Sequence, residues 1–389
     1  MNISIQDNIN PNNLAGLHPY PIGFWDKPLE IAQNRFKHKS LSDFAANIAV
    51  GCAHKCRFCY VPEVSASKMA KKLEPLGVSD PDSEWGSYVF LRPYDAATFL
   101  RSLRRADRLP AEKLTPDGHR AVMFSSTTDP YQVIYHPDAE TRIALNTSRS
   151  GLMVQALEAI RDQSSLNVRI LTRSPLVKKD FDLLKSFGNR LLLGMSLPTL
   201  RADLSALYEP GAPAPARRLE TLKAAAEAGI PVFVAIAPVF PESDCDDLLQ
   251  TMSAVKELNP FTVFHEPINI RGENVSRIAA YARSKNILFK EECFAPDEWP
   301  KYALRAFAEA EHAAKATGLY DRLHLWVDGA LGTKEFRRQQ ANPENYSRWV
   351  DYWWSRISEW PGHEVRMLNS VSAPPNPFER PEDIQEEAA

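Results

Sequence analysis

Short apolar runs alternate with amphipathic stretches along most of this 389-residue chain. The runs at 45–50 (AANIAV), 121–126 (AVMFSS), 167–172 (NVRILT), 190–196 (RLLLGMS), 231–237 (PVFVAIA) and 261–266 (FTVFHE) predict strands. Most are continuously apolar, which suits parallel strands covered on both faces. Between them apolar positions recur at helical spacing. Leu152, Ala156 and Ile160 do so within 151–163, and Val177, Phe181 and Leu184 within 177–187, with Gly188 as a stop. Leu219, Leu222 and Ala226 do so within 215–228, ahead of Gly229 and Pro231, and 244–258 carries a further stripe. Strand and helix in alternation predict a parallel α/β architecture. Six units are fewer than the eight of a closed barrel, so an open or partial barrel is one reading and a doubly wound sheet the other.

After residue 270 the pattern changes. A helix near 297–317 precedes a short run, LHLWV (323–327), and a second helix near 344–359. Tyr346, Trp349, Val350, Trp353, Ile357 and Trp360 fall on one helical face, which reads as packing against the body. The chain thus divides into an extension (1–43), an α/β core (44–270), a helical region that shapes substrate access (271–360) and a tail (361–389). The prolines and acidic EDIQEE of that tail read as largely disordered. Residues 62–120 are long for a connection between two strands and are a second place to seek specificity.

Hydrophobic content of 44% and charged content of 24% are those of a globular protein, and no apolar run is long enough to span a bilayer. The N-terminus, MNISIQDNINPNNL, lacks the build of a signal peptide, so a cytoplasmic location is expected. A net charge of −3 gives no overall attraction for nucleic acid. The basic runs Arg101, Arg104, Arg105, Arg108 and Lys68, Lys71, Lys72 read as solvated faces.

Three of the five cysteines, Cys52, Cys56 and Cys59, lie in GCAHKCRFCYVP, directly after the first predicted strand. In a reducing compartment such a cluster binds metal or does redox work. Structural zinc usually wants four ligands, and only one cluster is present. A Cys56–Cys59 redox pair leaves Cys52 idle. An iron–sulfur cluster with one iron left open fits three thiolates best. Active sites of parallel β/α folds form at the C-terminal ends of the strands. There the later loops carry SSTTDPYQ (125–132), TRSP (172–175), SLPT (196–199), APVFPESD (237–244) and HEPIN (265–269). Hydroxyls, Asp129, Arg173, His265 and Glu266 are therefore expected on one rim with the thiolates.

The Cys-x3-Cys-x2-Cys loop resembles the radical S-adenosylmethionine (SAM) superfamily. Together with TDPYQ, LTRSPLVKKDFDLL, SLPT, YEPGAPAPARRLETLKAAAEAGI and APVFP in that order, it resembles the spore photoproduct lyase-related branch over roughly residues 44–270. The resemblance implies a partial (β/α)6 barrel with an N-terminal extension and a helical C-terminal region. It implies a [4Fe–4S] cluster on Cys52, Cys56 and Cys59 whose fourth iron is chelated by SAM. Reduction by a partner such as flavodoxin or ferredoxin would cleave SAM to a 5′-deoxyadenosyl radical that abstracts hydrogen from a nucleoside, peptide or small metabolite. It places Phe58 near the adenine, Ser125, Ser126, Thr127 and Thr128 at the methionine amino group, and Arg173 and Ser196 beside SAM. Arg217 or Arg218 is a candidate for a carboxylate, and Glu209 a candidate ligand or turn residue. Tyr60 matches the lyase, and Tyr60, His265 and Glu266 are the candidates for catalysis. The lyase has a tyrosine at the position of Phe58 and a hydrogen-donating cysteine some forty residues past its cluster. No cysteine stands between Cys59 and Cys245 here, which speaks against photoproduct repair; Cys245 is a candidate substitute and Cys293 reads as structural. The other class of function is a non-catalytic cluster- or metal-binding interaction protein, with its site closed by a fourth protein ligand.

Overall fold

The computed structural model describes residues 21–34, 36, 38–124, 126–362 and 377–378. Among these the strands are β1 (Ile22–Phe24), β2 (Ile31–Gln33), β3 (Phe44–Ala46), β4 (Ala49–Gly51), β5 (Val89–Leu91), β6 (Ala121–Phe124), β7 (Asn167–Thr172), β8 (Leu191–Ser196), β9 (Val232–Val239), β10 (Val263–Pro267) and β11 (Leu323–Leu325). The main sheet has the order β11-β10-β9-β8-β7-β6-β3-β2. Strand β2 is antiparallel to β3 at one edge, and the other pairings are parallel. The edge strands β2 and β11 do not pair with each other, so the sheet is a partial barrel.

Side chains alternate between the two faces of each strand. Val122, Phe124, Ile170, Leu193, Val234 and Val263 belong to the core shared with the helices. Met123, Leu192, Phe233, Ala235 and Phe264 meet Leu41, Trp326 and Trp360 on the inner face. Burying each large apolar side chain contributes about 1.5–3 kcal/mol relative to exposure, which is why the runs are so continuously apolar.

Several elements differ from the sequence expectation. The run at 45–50 is not one strand. Phe44–Ala46 stays in the main sheet, while Ala49–Gly51 turns away and pairs antiparallel with β5 in a second sheet, β1-β5-β4. Gly51 makes the turn possible: its φ is +92°, and a Cβ there would sit 2.2 Å from the Tyr88 carbonyl oxygen. Trp25, Val50, Val61, Trp85, Tyr88 and Phe90 form the core of this second layer, which also contains Cys52 of the cysteine loop.

The helix expected at 151–163 begins at Ala139, because Asp138 caps it by accepting from Thr141 N at 2.7 Å. Residues 177–187 form a 3-10 turn (Pro175–Asp180) running into the short helix Phe181–Lys185. LHLWV supplies β11, a seventh parallel strand. The last helix is Pro343–Ser355, and Ile357 and Trp360 lie beyond it. Trp360 instead turns under the sheet, its ring 5.1 Å from the buried Arg169 guanidinium and its N–H donating to Asn189 O at 2.8 Å. The predicted disorder after 361 and the first twenty residues of the extension fall almost entirely outside the described residues. No described helix is long and apolar enough to cross a membrane.

Candidate active site

The main sheet and the segments at its two ends enclose a cavity of about 660 Å³ at the C-terminal ends of the parallel strands. Cys52, Cys56 and Cys59 all line it, and all five cysteines are free. Burial pushes the three thiols up to about 12, and Asp129 adds to the effect at Cys52. Thiolates in such a place need compensating cations, which iron supplies. Among the described residues no three His, Cys, Asp or Glu side chains converge on a point where a single metal ion would sit.

The cysteine loop is tied down from four sides. From the YEPG segment, Tyr208 O accepts from Arg57 N at 2.9 Å, and Gly211 N donates to His54 O at 3.0 Å. A Cβ on Gly211 would lie 2.7 Å from the carbonyl oxygens of Ala53 and His54, so the close approach needs glycine. From TDPYQ, Thr128 Oγ1 donates to Gly51 O at 2.6 Å, and Gln132 Oε1 accepts from Ala53 N at 2.6 Å. From the helix Asn274–Lys285, Asn274 Nδ2 donates to Phe58 O at 3.1 Å, and Arg277 donates to the carbonyls of Arg57 and Cys59. From the second layer, Asp82 pairs with Arg277.

Asp129 joins these supports. It accepts from Tyr131 N at 2.8 Å, Thr172 Oγ1 at 2.7 Å and Arg173 N at 2.7 Å, and meets His54 Nε2 at 3.1 Å. Burial alone would raise its carboxyl, but His54 and these hydrogen bonds outweigh burial and hold it at about 2. One carboxylate thus locks the ends of β6 and β7 to the cysteine loop.

The remaining candidates divide. Phe58 lines the cavity beneath the Arg173 guanidinium, 5.7 Å away, and Thr127, Thr128, Arg173, Ser196, Tyr60 and Glu266 line it too. Ser126 does not; its hydroxyl donates to Asn47 Oδ1 at 2.9 Å, and Tyr60 OH donates to Ser126 O at 3.3 Å. Ser125 lies outside the described residues. The Ser196 hydroxyl donates to Ala237 O at 2.9 Å. Arg218 is fully buried, bonded to Glu209 at 2.7 Å and to Ser196 O at 3.1 Å, and Arg217 is exposed; neither lines the cavity. Glu209 is the shared partner of Arg173 and Arg218, and their charges together outweigh its burial and keep its carboxyl below the usual range.

His265 is corrected. It faces the helix layer, fully buried 5.8 Å from the Phe307 ring, and burial lowers it to about 3. Glu266, at the irregularity between His265 and Pro267 in the pairing with β9, lines the cavity instead. Cys245 and Cys293 do not line the cavity either. The sequence reading missed Asn47, Gln132, Gly211, Asn274 and Arg277. Gln132 and Gly211 stood inside motifs already singled out, whereas Asn274 and Arg277 carry no local signal.

The sequence matches the radical SAM superfamily over residues 46–255, and the chain belongs to that superfamily. It is 34% identical over 273 residues to the ORF301 protein of Acidianus two-tailed virus, covering 68% of this chain and 80% of that one. It is 25% identical over 222 residues to MJ0683 of Methanocaldococcus jannaschii, covering 57% and 68%. Among solved structures it is similar in fold to a spore photoproduct lyase variant with bound AdoMet and dinucleoside spore photoproduct, with a TM-score of 0.53 at 13% identity over 78% and 80% of the two chains.

Proposed function

We propose that this protein is an enzyme that holds a [4Fe–4S] cluster on Cys52, Cys56 and Cys59 with SAM beside it, and takes a hydrogen atom from a substrate in the same cavity. The observation that carries this reading is that three thiols, two of them buried and one half-buried, line a cavity at the C-terminal ends of the strands with no fourth cysteine beside them. When bound, cluster and SAM supply a one-electron reductive cleavage yielding a 5′-deoxyadenosyl radical. The chain's own work is to bind, orient and exclude water. Phe58, beneath Arg173, offers an apolar face suited to adenine. Thr127 and Thr128 present polar groups suited to the methionine end, and Ser196 lies across the cavity on β8. Tyr60 and Glu266 belong to the substrate side. The electron comes from a reductant such as flavodoxin or ferredoxin.

The substrate on this reading is a nucleoside, peptide or small metabolite. The solved lyase holds a dinucleoside photoproduct, but here no cysteine other than the three ligands lines the cavity to return a hydrogen. The test is anaerobic reconstitution with iron and sulfide, followed by dithionite and SAM and chromatography for 5′-deoxyadenosine. Product that is lost in each of Cys52→Ala, Cys56→Ala and Cys59→Ala supports the assignment. A four-iron cluster retained in Cys56→Ala contradicts it.

A further inference from the structure

Part of the cavity wall is built by segments that flank the core in sequence. His38, Lys39 and Leu41 come from before the core, and Trp326, Asp328 and Trp354 from after it. Lys39 reaches in from this wall. Its ammonium is 2.6 Å from Glu266 Oε1 and 4.6 Å from the centre of the Trp326 ring. Asn269 Nδ2 donates to the same Glu266 oxygen at 2.8 Å. The other face of Trp326 is covered by Phe264, stacked at 4.8 Å. An anionic oxygen and an indole face thus flank one ammonium, and the Asn269 amide shares the carboxylate with it. The carbonyl oxygen, Asn269 Oδ1, is buried and has no hydrogen-bond partner.

This set recognises cations: a carboxylate in a partly desolvated place, an aromatic face, and an unused acceptor beside them. The backbone of Lys39 is fixed independently of its side chain, because Trp326 Nε1 donates to Lys39 O at 2.8 Å. The ammonium can therefore leave Glu266 without the segment moving. The Lys39 and Glu266 side chains are 28% and 14% exposed, so the exchange does not expose a sealed core. The other ion pair lining the cavity joins Arg271, 42% exposed, to Asp328, 12% exposed.

We propose that Glu266, Trp326 and Asn269 form the specificity site for a cationic nitrogen group on the substrate, an ammonium or guanidinium, and that the Lys39 side chain fills this site in the free protein. This rests on the reading of the cavity as the active site. A substrate bearing that group displaces Lys39 and inherits its contacts. An uncharged analogue leaves the Glu266 carboxylate with the Asn269 amide but without a cation, and that penalty is the source of selectivity.

The test uses the reconstituted full-length protein with SAM bound and two probes, N-acetyl-lysine methylamide and N-acetyl-norleucine methylamide, which has the same four-carbon stem without the terminal ammonium. Binding is read by calorimetry, without turnover. Lys39→Ala is expected to bind the lysine probe about tenfold tighter than the parent, since the competing internal ammonium is gone. It is also expected to prefer lysine to norleucine by about tenfold. Glu266→Gln in the Lys39→Ala background is expected to lose that preference while binding SAM as before. Lys39→Met keeps the side-chain bulk and serves if Lys39→Ala does not fold. Equal binding of the two probes by Lys39→Ala and Lys39→Met overturns the proposal. Failure of the parent protein to bind SAM or assemble a cluster counts against the enzyme reading instead, so the two failures are distinguishable.

Discussion

His265 and Glu266 show how much one residue of register decides. They are consecutive on β10, yet one packs against Phe307 and the other lines the cavity. A neutral buried histidine has a pH signature. Its folded value is about 3 against an ordinary 6.5, so unfolding takes up a proton whenever the pH lies between them. Stability is therefore lost as pH falls below 6.5, and each such group costs about 2 kcal/mol between pH 7 and pH 5. His324, also held at about 3, contributes in the same direction. In His265→Gln, the stability loss between pH 7 and pH 5 should shrink by about 2 kcal/mol in denaturant titrations of the apoprotein. An unchanged pH dependence would mean that His265 is not neutral and buried. The pair is visible in HEPIN, but the irregularity of β10 between His265 and Pro267 leaves no mark in the sequence.

At the scale of elements, the cysteine loop is held by segments distant in sequence, and this sets what could be read beforehand. Central strands announce themselves because burial on both faces leaves a continuous apolar run. The split of AANIAV between two sheets was not legible, since every position on either side of Asn47 is apolar in both outcomes. The thiolates were legible from spacing, whereas Asn274 and Arg277 look like any polar residues opening a helix. Two predictions belong here. Gly211→Ala should push the loop off its support, costing about 1–3 kcal/mol, and should speed loss of iron to a chelator severalfold in a protein that stays soluble. Iron loss at the parent rate would show that the close approach of Gly211 is dispensable. Arg277→Ala leaves the carbonyls of Arg57 and Cys59 without their donor and should likewise accelerate iron release, with Arg277→Lys restoring part of the retention. If the lysine and alanine variants release iron alike, the side chain acts by packing and not by donating to the loop.

At the scale of the whole molecule, the partial barrel leaves an opening that chain ends and insertions fill. Residues 38–41 and 326–329 complete the wall, the helix Asn274–Lys285 braces the cysteine loop, and Trp360 closes the base. This is the least legible level, because contacts such as Lys39 with Glu266 span 227 positions and no local pattern encodes them. The same arrangement makes the open iron the centre of the account. Three cysteines line the cavity, and on the proposed reading one iron of the cluster is left without a protein ligand, so SAM should bind the cluster directly. The most direct measurement is the EPR spectrum of the dithionite-reduced, reconstituted protein with and without SAM. A clear change in g values on adding SAM, absent from a protein without the cluster, is the expected result. A well-formed reduced cluster whose spectrum is unmoved by saturating SAM would contradict the account, because its fourth position would then be closed.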